Sequence, residues 1–305
     1  MLEQPRIWKS RSTKHGVHFF ERQTGINVLL DEVRPPESGW ARAPRYVSVA
    51  LTNACELSCS YCYASKKPAR LGAREISDWL RELDQNGCLG VGFGGGEPTL
   101  HSEFTKICRA TANETGMAVS FTTHGHRISE ELAKQLRGSV NFIRVSVDGI
   151  GKTYEKNRGR AFEDLEKRID LISGICRFGI NVVVGDGTAW ELDGLLGCAE
   201  RWGAEELLLL PEQATVGRAG IGDLAYAEMV RWLANRRQSN MRVGISRMAD
   251  LSGIAIADAF PLEDPLTAHA HIDADGCLRT DAFTNTRVSI RGSVIEALTE
   301  LRQAV

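Results

Sequence analysis

Three cysteines stand close together early in the chain. Cys55, Cys59 and Cys62 follow a C-x3-C-x2-C spacing and come directly after an apolar run. Thiolates are soft ligands that suit iron–sulfur clusters, zinc or copper(I), and a cubane held by three cysteines keeps one iron free. Structural zinc usually takes four protein ligands in two separated pairs, and no second C-x2-C pair is present. The spacing therefore favours an iron–sulfur cluster over zinc or three unligated thiols.

Two further motifs follow in order. The turn Gly94-Gly95-Gly96-Glu97 comes after an apolar strand-like run, and glycine lets a backbone approach a ligand closely because it has no side chain. Farther on, Ser146 and Asp148 alternate with apolar residues, so we expect both on one face of a strand, where they can reach one diol. A glycine-rich turn before proline, or a Ser-x-Asp pair, means little alone, and its order after the cysteines gives it weight.

These three motifs together resemble the radical S-adenosylmethionine (SAM) enzymes, and the resemblance covers roughly residues 46 to 216. It implies a [4Fe-4S] cluster ligated by the three cysteines, with SAM at the free iron. In such enzymes one electron, from a donor such as flavodoxin or ferredoxin, cleaves SAM to methionine and a 5′-deoxyadenosyl radical, which takes hydrogen from a substrate carbon. The protein ligates the cluster, orients the reacting groups and excludes side reactions, because the cofactors carry the chemistry.

The resemblance also implies residues that hold SAM. Glu97 would accept from its amino group, Ser146 and Asp148 would reach its ribose, and Arg158 would contact its carboxylate, although a solvated surface position explains Arg158 about as well. The full set of implied SAM-site residues is Tyr61, Gly94, Gly95, Gly96, Glu97, Thr122, Ser146, Asp148 and Arg158.

Composition limits the other possibilities. The chain has 305 residues, of which 43% are hydrophobic and 25% charged, with a net charge of −2. There is no global basic field to attract nucleic acid or an anionic membrane. No apolar run approaches the roughly 20 residues of a membrane span, and the N-terminus lacks the apolar core of a signal peptide. We therefore expect a cytoplasmic protein without nucleic-acid or membrane partners.

The remaining pattern predicts an α/β fold. From Tyr46 onward, six short β-like runs alternate with helical ones, which indicates parallel strands with right-handed crossovers. This agrees with the partial (β/α)6 TIM-like barrel of the family. We expect an N-terminal extension (1–45) with a hairpin at Thr24-Gly25, the core (46–222), and a small α+β C-terminal extension (223–305). Four single cysteines in helix-like settings are predicted to pack in the core: Cys88, Cys108, Cys176 and Cys198.

The C-terminal extension bears on the substrate. It reads as a helix, a strand near 242–246, a hairpin turning at Asp275-Gly276 and a last helix, and it resembles the tail of the peptide-modifying (SPASM/Twitch-like) subgroup. Only Cys277 lies beyond Cys198, so an auxiliary cluster is not expected. This tail and the Cys59-Ser60-Tyr61-Cys62-Tyr63 signature favour the modification of a ribosomally made peptide (RiPP-type maturation). A small metabolite, such as a nucleoside or amino-acid derivative, is the alternative, and a non-catalytic electron carrier or sensor is a third reading.

Four residues are candidates on the substrate side. His124, His126 and Glu212 follow predicted strands, where chemistry gathers in parallel α/β folds, although surface or capping roles explain them as well. Cys277 could return a hydrogen atom to a substrate carbon, but an ordinary strand residue packing inward is the better reading of its place beside a hairpin turn.

Overall fold

The computed structural model describes residues 7–215, 218–246, 254 and 263–305. It begins with a three-stranded antiparallel sheet of β1 (Trp8–Thr13), β2 (Gly16–Glu21) and β3 (Asn27–Leu30). The predicted hairpin is confirmed as the β2–β3 pair, in which Gly25 adopts a φ of 73° in the turn. The strand β1 was not predicted, because its polar residues show no apolar alternation.

A second sheet of ten strands, with helices between them, makes up the rest of the described residues. Its elements are β4 (Tyr46–Thr52), α1 (Ala73–Gln85), β5 (Gly90–Gly95), α2 (Phe104–Glu114), β6 (Ala118–Thr123), α3 (Glu130–Leu136), β7 (Phe142–Ser146), α4 (Lys152–Arg158), α5 (Phe162–Ser173), β8 (Phe178–Val184), α6 (Leu192–Arg201), β9 (Glu206–Pro211), α7 (Asp223–Asn235), β10 (Arg242–Ile245), α8 (Pro265–Ala268), β11 (His269–Ile272), β12 (Cys277–Arg279), β13 (Val288–Ser289) and α9 (Val294–Ala304).

The strand order confirms the predicted α/β fold. Strands β4 to β9 are parallel neighbours in sequence order, as six β/α units of a partial barrel require. β10 adds in parallel beside β9, and β11 adds in parallel beside β4. The predicted tail hairpin is the antiparallel β11–β12 pair, so the C-terminal extension continues the core sheet on both of its edges.

One face of this sheet packs on the helices. On β4, Val47, Val49 and Leu51 are buried in the apolar core, which they share with helix residues such as Leu80 of α1. Cys88, Cys108 and Cys198 belong to the same core and Cys176 packs against it, as predicted. No helix in the described ranges is both long and apolar enough to cross a membrane.

The opposite face, called the inner face below, carries polar residues near the amino-terminal ends of its strands. Tyr46 lies over β5, where a Cβ atom on Gly92 would come within 2.6 Å of its Oη, and its hydroxyl hydrogen-bonds Ser120 of β6. Arg144 of β7 reaches across β8 to Glu206 of β9, with N···O distances of 3.2 and 3.3 Å. A cavity of about 450 Å³ borders Tyr46, Arg144 and Glu206 at this end, while the cysteines lie beyond the carboxyl end of β4.

Candidate active site

The three cysteines lie on the loop that follows β4, called the cysteine loop below. All three are free and half-buried, in contrast to the buried Cys88, Cys108 and Cys198. The loop is ordered by its own hydrogen bonds: the Cys62 amide donates to the Cys59 carbonyl at 3.1 Å, and the Leu57 amide donates to Cys55 Sγ at 3.4 Å. A cavity of about 600 Å³ opens beside Cys55. Cys59 and Cys62 do not line this cavity, so the fit to an iron–sulfur cluster rests on the donor set, three half-buried thiols on one loop.

A hydrogen-bonded network ties the cysteine loop to the end of β7. The Tyr61 hydroxyl donates to Asp148 Oδ2 at 2.6 Å, Arg158 forms an ion pair with the same carboxylate, and the Val183 amide donates to Oδ1 at 2.6 Å. Arg158 Nη1 also lies 3.7 Å from Cys59 Sγ. The network therefore places one cation beside a cysteine that is expected to ligate iron.

The ionisation of this network follows from its burial. Burial raises the pKa of Tyr61 above its ordinary value, and the neighbouring Asp148 raises it further. Burial alone would lower the pKa of Arg158, but Asp148 beside it raises that pKa above the ordinary value. Tyr61 is thus held as a neutral donor and Arg158 as a cation.

Ser146 and Asp148 differ from their predicted placement. β7 ends at Ser146, so Asp148 lies in the loop beyond the strand, and the prediction that both occupy one strand face is wrong. The chain leaves the strand there because the carboxylate of Asp148 is fully buried and takes its donors from Tyr61, Arg158 and Val183. The predicted contact of Ser146 and Asp148 with the SAM ribose stays a prediction.

The glycine-rich turn packs against the cysteine loop. Gly95 has a φ of 124°, and a Cβ atom there would meet the Thr52 carbonyl at 2.2 Å, while one on Gly96 would meet the Ala54 carbonyl at 2.3 Å. A Cβ atom on Gly94 would meet nothing within 4 Å. Gly95 and Gly96 thus allow the backbone of this turn to touch the backbone at the start of the cysteine loop. Gly94 is the glycine of the turn that borders open space.

Glu97 is buried and already has protein donors. Its Oε1 accepts from the Thr99 hydroxyl at 2.7 Å and the Thr123 hydroxyl at 2.9 Å, and its Oε2 accepts from the His124 amide at 3.1 Å. The carboxylate also caps the short 3-10 turn Pro98–Leu100. The structure therefore gives Glu97 a role in fixing the turn, beside its predicted contact with the SAM amino group.

The two loop histidines have protein partners. His124 is only 4% exposed, and its Nε2 lies 3.3 Å from Glu97 Oε2 and 3.4 Å from Glu56 Oε1, so a surface position is excluded. His126 Nε2 lies 2.8 Å from the Tyr154 hydroxyl, and burial lowers the pKa of His126 to about 4. The contact with Tyr154 explains His126 structurally, whereas His124 Nε2 is a buried atom that makes no hydrogen bond within the described residues. The substrate roles of both histidines stay predictions.

The last candidates lie around the same end of the sheet. Glu212 is buried and pairs with Arg218, whose Nη1 lies 3.4 Å from the Ser60 hydroxyl of the cysteine loop. Thr122 is half-buried on β6, in register with Arg144. Cys277 is a strand residue as expected, but it is half-buried and does not belong to the hydrophobic core.

Sequence reasoning missed the residues that join these parts. Arg218 belongs to no motif and contacts the site only through the fold, and Glu56 occupies one of the positions that the C-x3-C spacing leaves open. The inner face also holds Ser48, His269 and His271, of which the two histidines come from β11 in the C-terminal extension. The one available sign was the alternation of His269 and His271 with apolar residues, which places them on a single strand face.

Comparison with known proteins agrees with this geometry. Residues 49–191 match the radical SAM superfamily. The mycofactocin maturase MftC of Mycobacterium ulcerans is 34% identical over 177 residues, which is 53% of this chain and 46% of that protein. The GTP 3',8-cyclase of Haemophilus influenzae is 29% identical over 134 residues, or 41% of this chain and 40% of that one. The chain therefore aligns with under half the length of these relatives.

The fold has a close counterpart among solved structures. Streptococcus suis SuiB, crystallised with S-adenosylmethionine, superposes with a TM-score of 0.73 at 13% identity, over 93% of this chain and 84% of that one. The fold, the cysteine loop and the superfamily match agree with one another, and residues 49–191 are similar to the radical SAM superfamily. Of the two relatives named above, the mycofactocin maturase MftC shares the longer aligned segment with this chain.

Proposed function

We propose that this protein binds a [4Fe-4S] cluster through Cys55, Cys59 and Cys62 and uses it to cleave SAM reductively. The observation that carries the proposal is the cysteine loop itself: three half-buried thiols, one of them 3.7 Å from the Arg158 guanidinium. When bound, the cluster and SAM supply a 5′-deoxyadenosyl radical that takes hydrogen from a substrate carbon. A flavodoxin or ferredoxin would deliver the electron.

The chain's own residues position these groups. The guanidinium of Arg158 lies 3.7 Å from Cys59 Sγ and so places a positive charge beside a thiol that would ligate iron. The buried Asp148 holds Arg158 in place and accepts a hydrogen bond from Tyr61. This hydrogen bond fixes the cysteine loop to the loop that follows β7. Gly94 leaves space for a ligand on the inner face. Glu97 and His124 fix the glycine-rich turn against the cysteine loop.

A peptide is the proposed substrate class. MftC is a maturase, and SuiB has been crystallised bound to the precursor peptide SuiA, which supports modification of a ribosomally made peptide. The alternative is a small metabolite, favoured by the similarity to a GTP 3',8-cyclase over 41% of this chain.

The cofactor proposal is tested on anaerobically reconstituted protein. Iron and sulfide should each reach about four per chain, and dithionite with SAM should release 5′-deoxyadenosine and methionine. The Cys55→Ala, Cys59→Ala and Cys62→Ala variants should lose both properties. Cys176→Ala is the matched control, since that thiol is half-buried but packs against the core. Zinc as the only bound metal, or SAM cleavage that survives the three changes, would refute the proposal.

The substrate class needs a separate experiment. A short precursor gene beside this gene would supply a candidate peptide, which is incubated with the enzyme, SAM and dithionite and followed by mass spectrometry. A SAM-dependent mass change in the peptide supports peptide modification. An unchanged peptide, together with turnover of a nucleotide or amino-acid derivative made by neighbouring enzymes, supports the alternative.

A further inference from the structure

Two histidines of β11 lie on the inner face, far along the chain from every motif. β11 pairs in parallel with β4, with His269 opposite Tyr46 and His271 opposite Ser48. Ala270 and Ile272, which alternate with the histidines, are fully buried in the core, so both imidazoles point to the inner face. His271 lies opposite Ser48, which precedes Thr52 by four residues on β4. At about 3.3 Å per residue, His271 is therefore about 13 Å along the strand from Thr52, where the cysteine loop begins.

Ser48 connects the two imidazoles. Its Oγ lies 3.1 Å from His269 Nε2 and 2.8 Å from His271 Nδ1. On the other side of the first ring, His269 Nδ1 lies 3.3 Å from the Thr280 carbonyl oxygen. Tyr46 stacks against His269, with ring centroids 6.5 Å apart and an angle of 20° between the rings.

This chain of contacts sets both tautomers. A carbonyl oxygen only accepts, so His269 Nδ1 carries the hydrogen and its Nε2 must accept from the Ser48 hydroxyl. Ser48 has a single hydrogen, so toward His271 it acts as an acceptor, and His271 Nδ1 must donate. A neutral imidazole carries one hydrogen, which leaves His271 Nε2 with an unprotonated lone pair.

The surroundings keep both rings neutral. Burial lowers the pKa of His269, and it lowers the pKa of His271 to about 4. The nearest charged groups are largely engaged elsewhere: Arg279, opposite His271 on β12, pairs with Asp273 at 2.8 Å, and Asp281 accepts from the backbone of its own loop. Within the residues that the structure covers, His271 Nε2 has no hydrogen-bond partner. It is also not one of the unpaired polar atoms that are fully buried, so it can be reached from outside the protein.

We propose that His271 Nε2 is a hydrogen-bond acceptor for the substrate, and that it binds an N–H or O–H donor such as a peptide amide. This rests on the proposed function, because it assigns the inner face to the substrate of that reaction. A bound substrate would exclude water from this half-buried ring, so an analogue that lacks the donor would leave the lone pair unpaired and bind less well. His271 would therefore act as a specificity-determining residue, held by Ser48 and His269.

Footprinting with diethyl pyrocarbonate tests the assignment without SAM turnover. The reagent acylates unprotonated imidazole nitrogens, and mass spectrometry reports each histidine of the reconstituted protein. His271 should react about ten-fold faster than His269, the ratio expected when one nitrogen is held in a hydrogen bond. In Ser48→Ala, His269 loses its donor and should become reactive, whereas the remote Ser77→Ala should leave it protected. Equal reactivity of the two histidines in the unmodified protein, or an unreactive His271, would overturn the tautomer assignment.

A matched pair of probes tests the donor preference. N-methylacetamide has one amide N–H and N,N-dimethylacetamide has none, and N-acetylhistidine amide in the same solution corrects for solvent effects. The first amide should slow acylation of His271 about two-fold or more relative to the second, as a weak hydrogen bond predicts. Equal rates with both amides would overturn the proposal. Failure of the wild-type protein to cleave SAM would end the proposed function while leaving the footprint unchanged, so the two failures are distinguishable.

Discussion

The Tyr61 hydroxyl donates to Asp148 Oδ2 across 2.6 Å, which joins the cysteine loop to the loop beyond β7. The two residues are 87 positions apart in sequence, and Asp148 is completely buried. Because Asp148 also pairs with Arg158, this one carboxylate fixes both the residue before the last cysteine and the cation beside Cys59. Loss of the carboxylate charge would leave a buried guanidinium without its partner.

We therefore expect Asp148→Asn to destabilise the protein by about 3–5 kcal/mol, the cost of breaking a buried ion pair. Tyr61→Phe removes one hydrogen bond to a charged group and should cost about 1.5–3 kcal/mol. Urea unfolding of the iron-free protein measures both changes. Asp164→Asn is the control, because Asp164 pairs with Lys167 on the exposed surface and should leave the midpoint nearly unchanged. An Asp148→Asn protein as stable as this control would contradict the network.

The glycines of the glycine-rich turn should not respond alike to alanine. A Cβ atom on Gly96 would collide with the Ala54 carbonyl, so Gly96→Ala must displace the cysteine loop, and it should destabilise the protein by about 1–3 kcal/mol and lower its iron content. Gly94→Ala meets no atom within 4 Å and should fold and retain iron as the wild type does. Its methyl group borders the space proposed for SAM, so SAM binding measured by calorimetry should weaken. Iron loss from both variants alike would contradict the distinction.

The fold was predictable because its pattern is local. Each core strand alternates or runs apolar over five to seven residues, as β4 does from Tyr46 to Thr52, and each is followed by an amphipathic helix. Parallel pairing and the position of the cysteine loop then follow from connection rules. The exact end of β7 did not follow, because Asp148 leaves the strand pattern for tertiary donors at Tyr61, Arg158 and Val183.

The side-chain partners at the site were not predictable, because no local pattern contains them. Ser48 and His271 are 223 residues apart and meet only through the register of β11 on β4. Arg218 and Ser60 are 158 residues apart, and a one-residue change of strand register would separate such pairs. The burial of His124 was also missed, because its two carboxylate neighbours come from other loops.

Cys277 should be dispensable for the cofactor chemistry. It is a half-buried residue of β12 whose amide donates to Asp273 Oδ1 at 2.9 Å, and burial raises the pKa of its thiol. Cys277→Ala should therefore retain iron and release 5′-deoxyadenosine within about two-fold of wild type, a ratio typical of neutral surface changes. Once a substrate is known, product yield and deuterium incorporation in deuterated buffer complete the test. Persisting SAM cleavage with loss of product would instead make Cys277 a hydrogen donor.

His126 should make the protein less stable in mild acid. Burial lowers the pKa of His126 to about 4 in the folded chain, whereas an unfolded histidine has a pKa of about 6.5. Between these values the unfolded chain binds more protons than the folded chain, so the free energy of unfolding falls as the pH falls from about 6.5 to about 4. The stabilisation is complete above the unfolded pKa.

His126→Gln should weaken this pH dependence by up to about one bound proton. His18 and His271, whose pKa values burial also lowers to about 4, keep part of it in the variant. The measurement is the urea midpoint of iron-free protein at pH 7, 6 and 5, which keeps acid loss of the cluster out of the comparison. Lys134→Gln, on the exposed side of α3, is the control and should follow the wild-type profile. A His126→Gln profile that matches the wild type across this range would mean that His126 has the same pKa in the folded and unfolded chain.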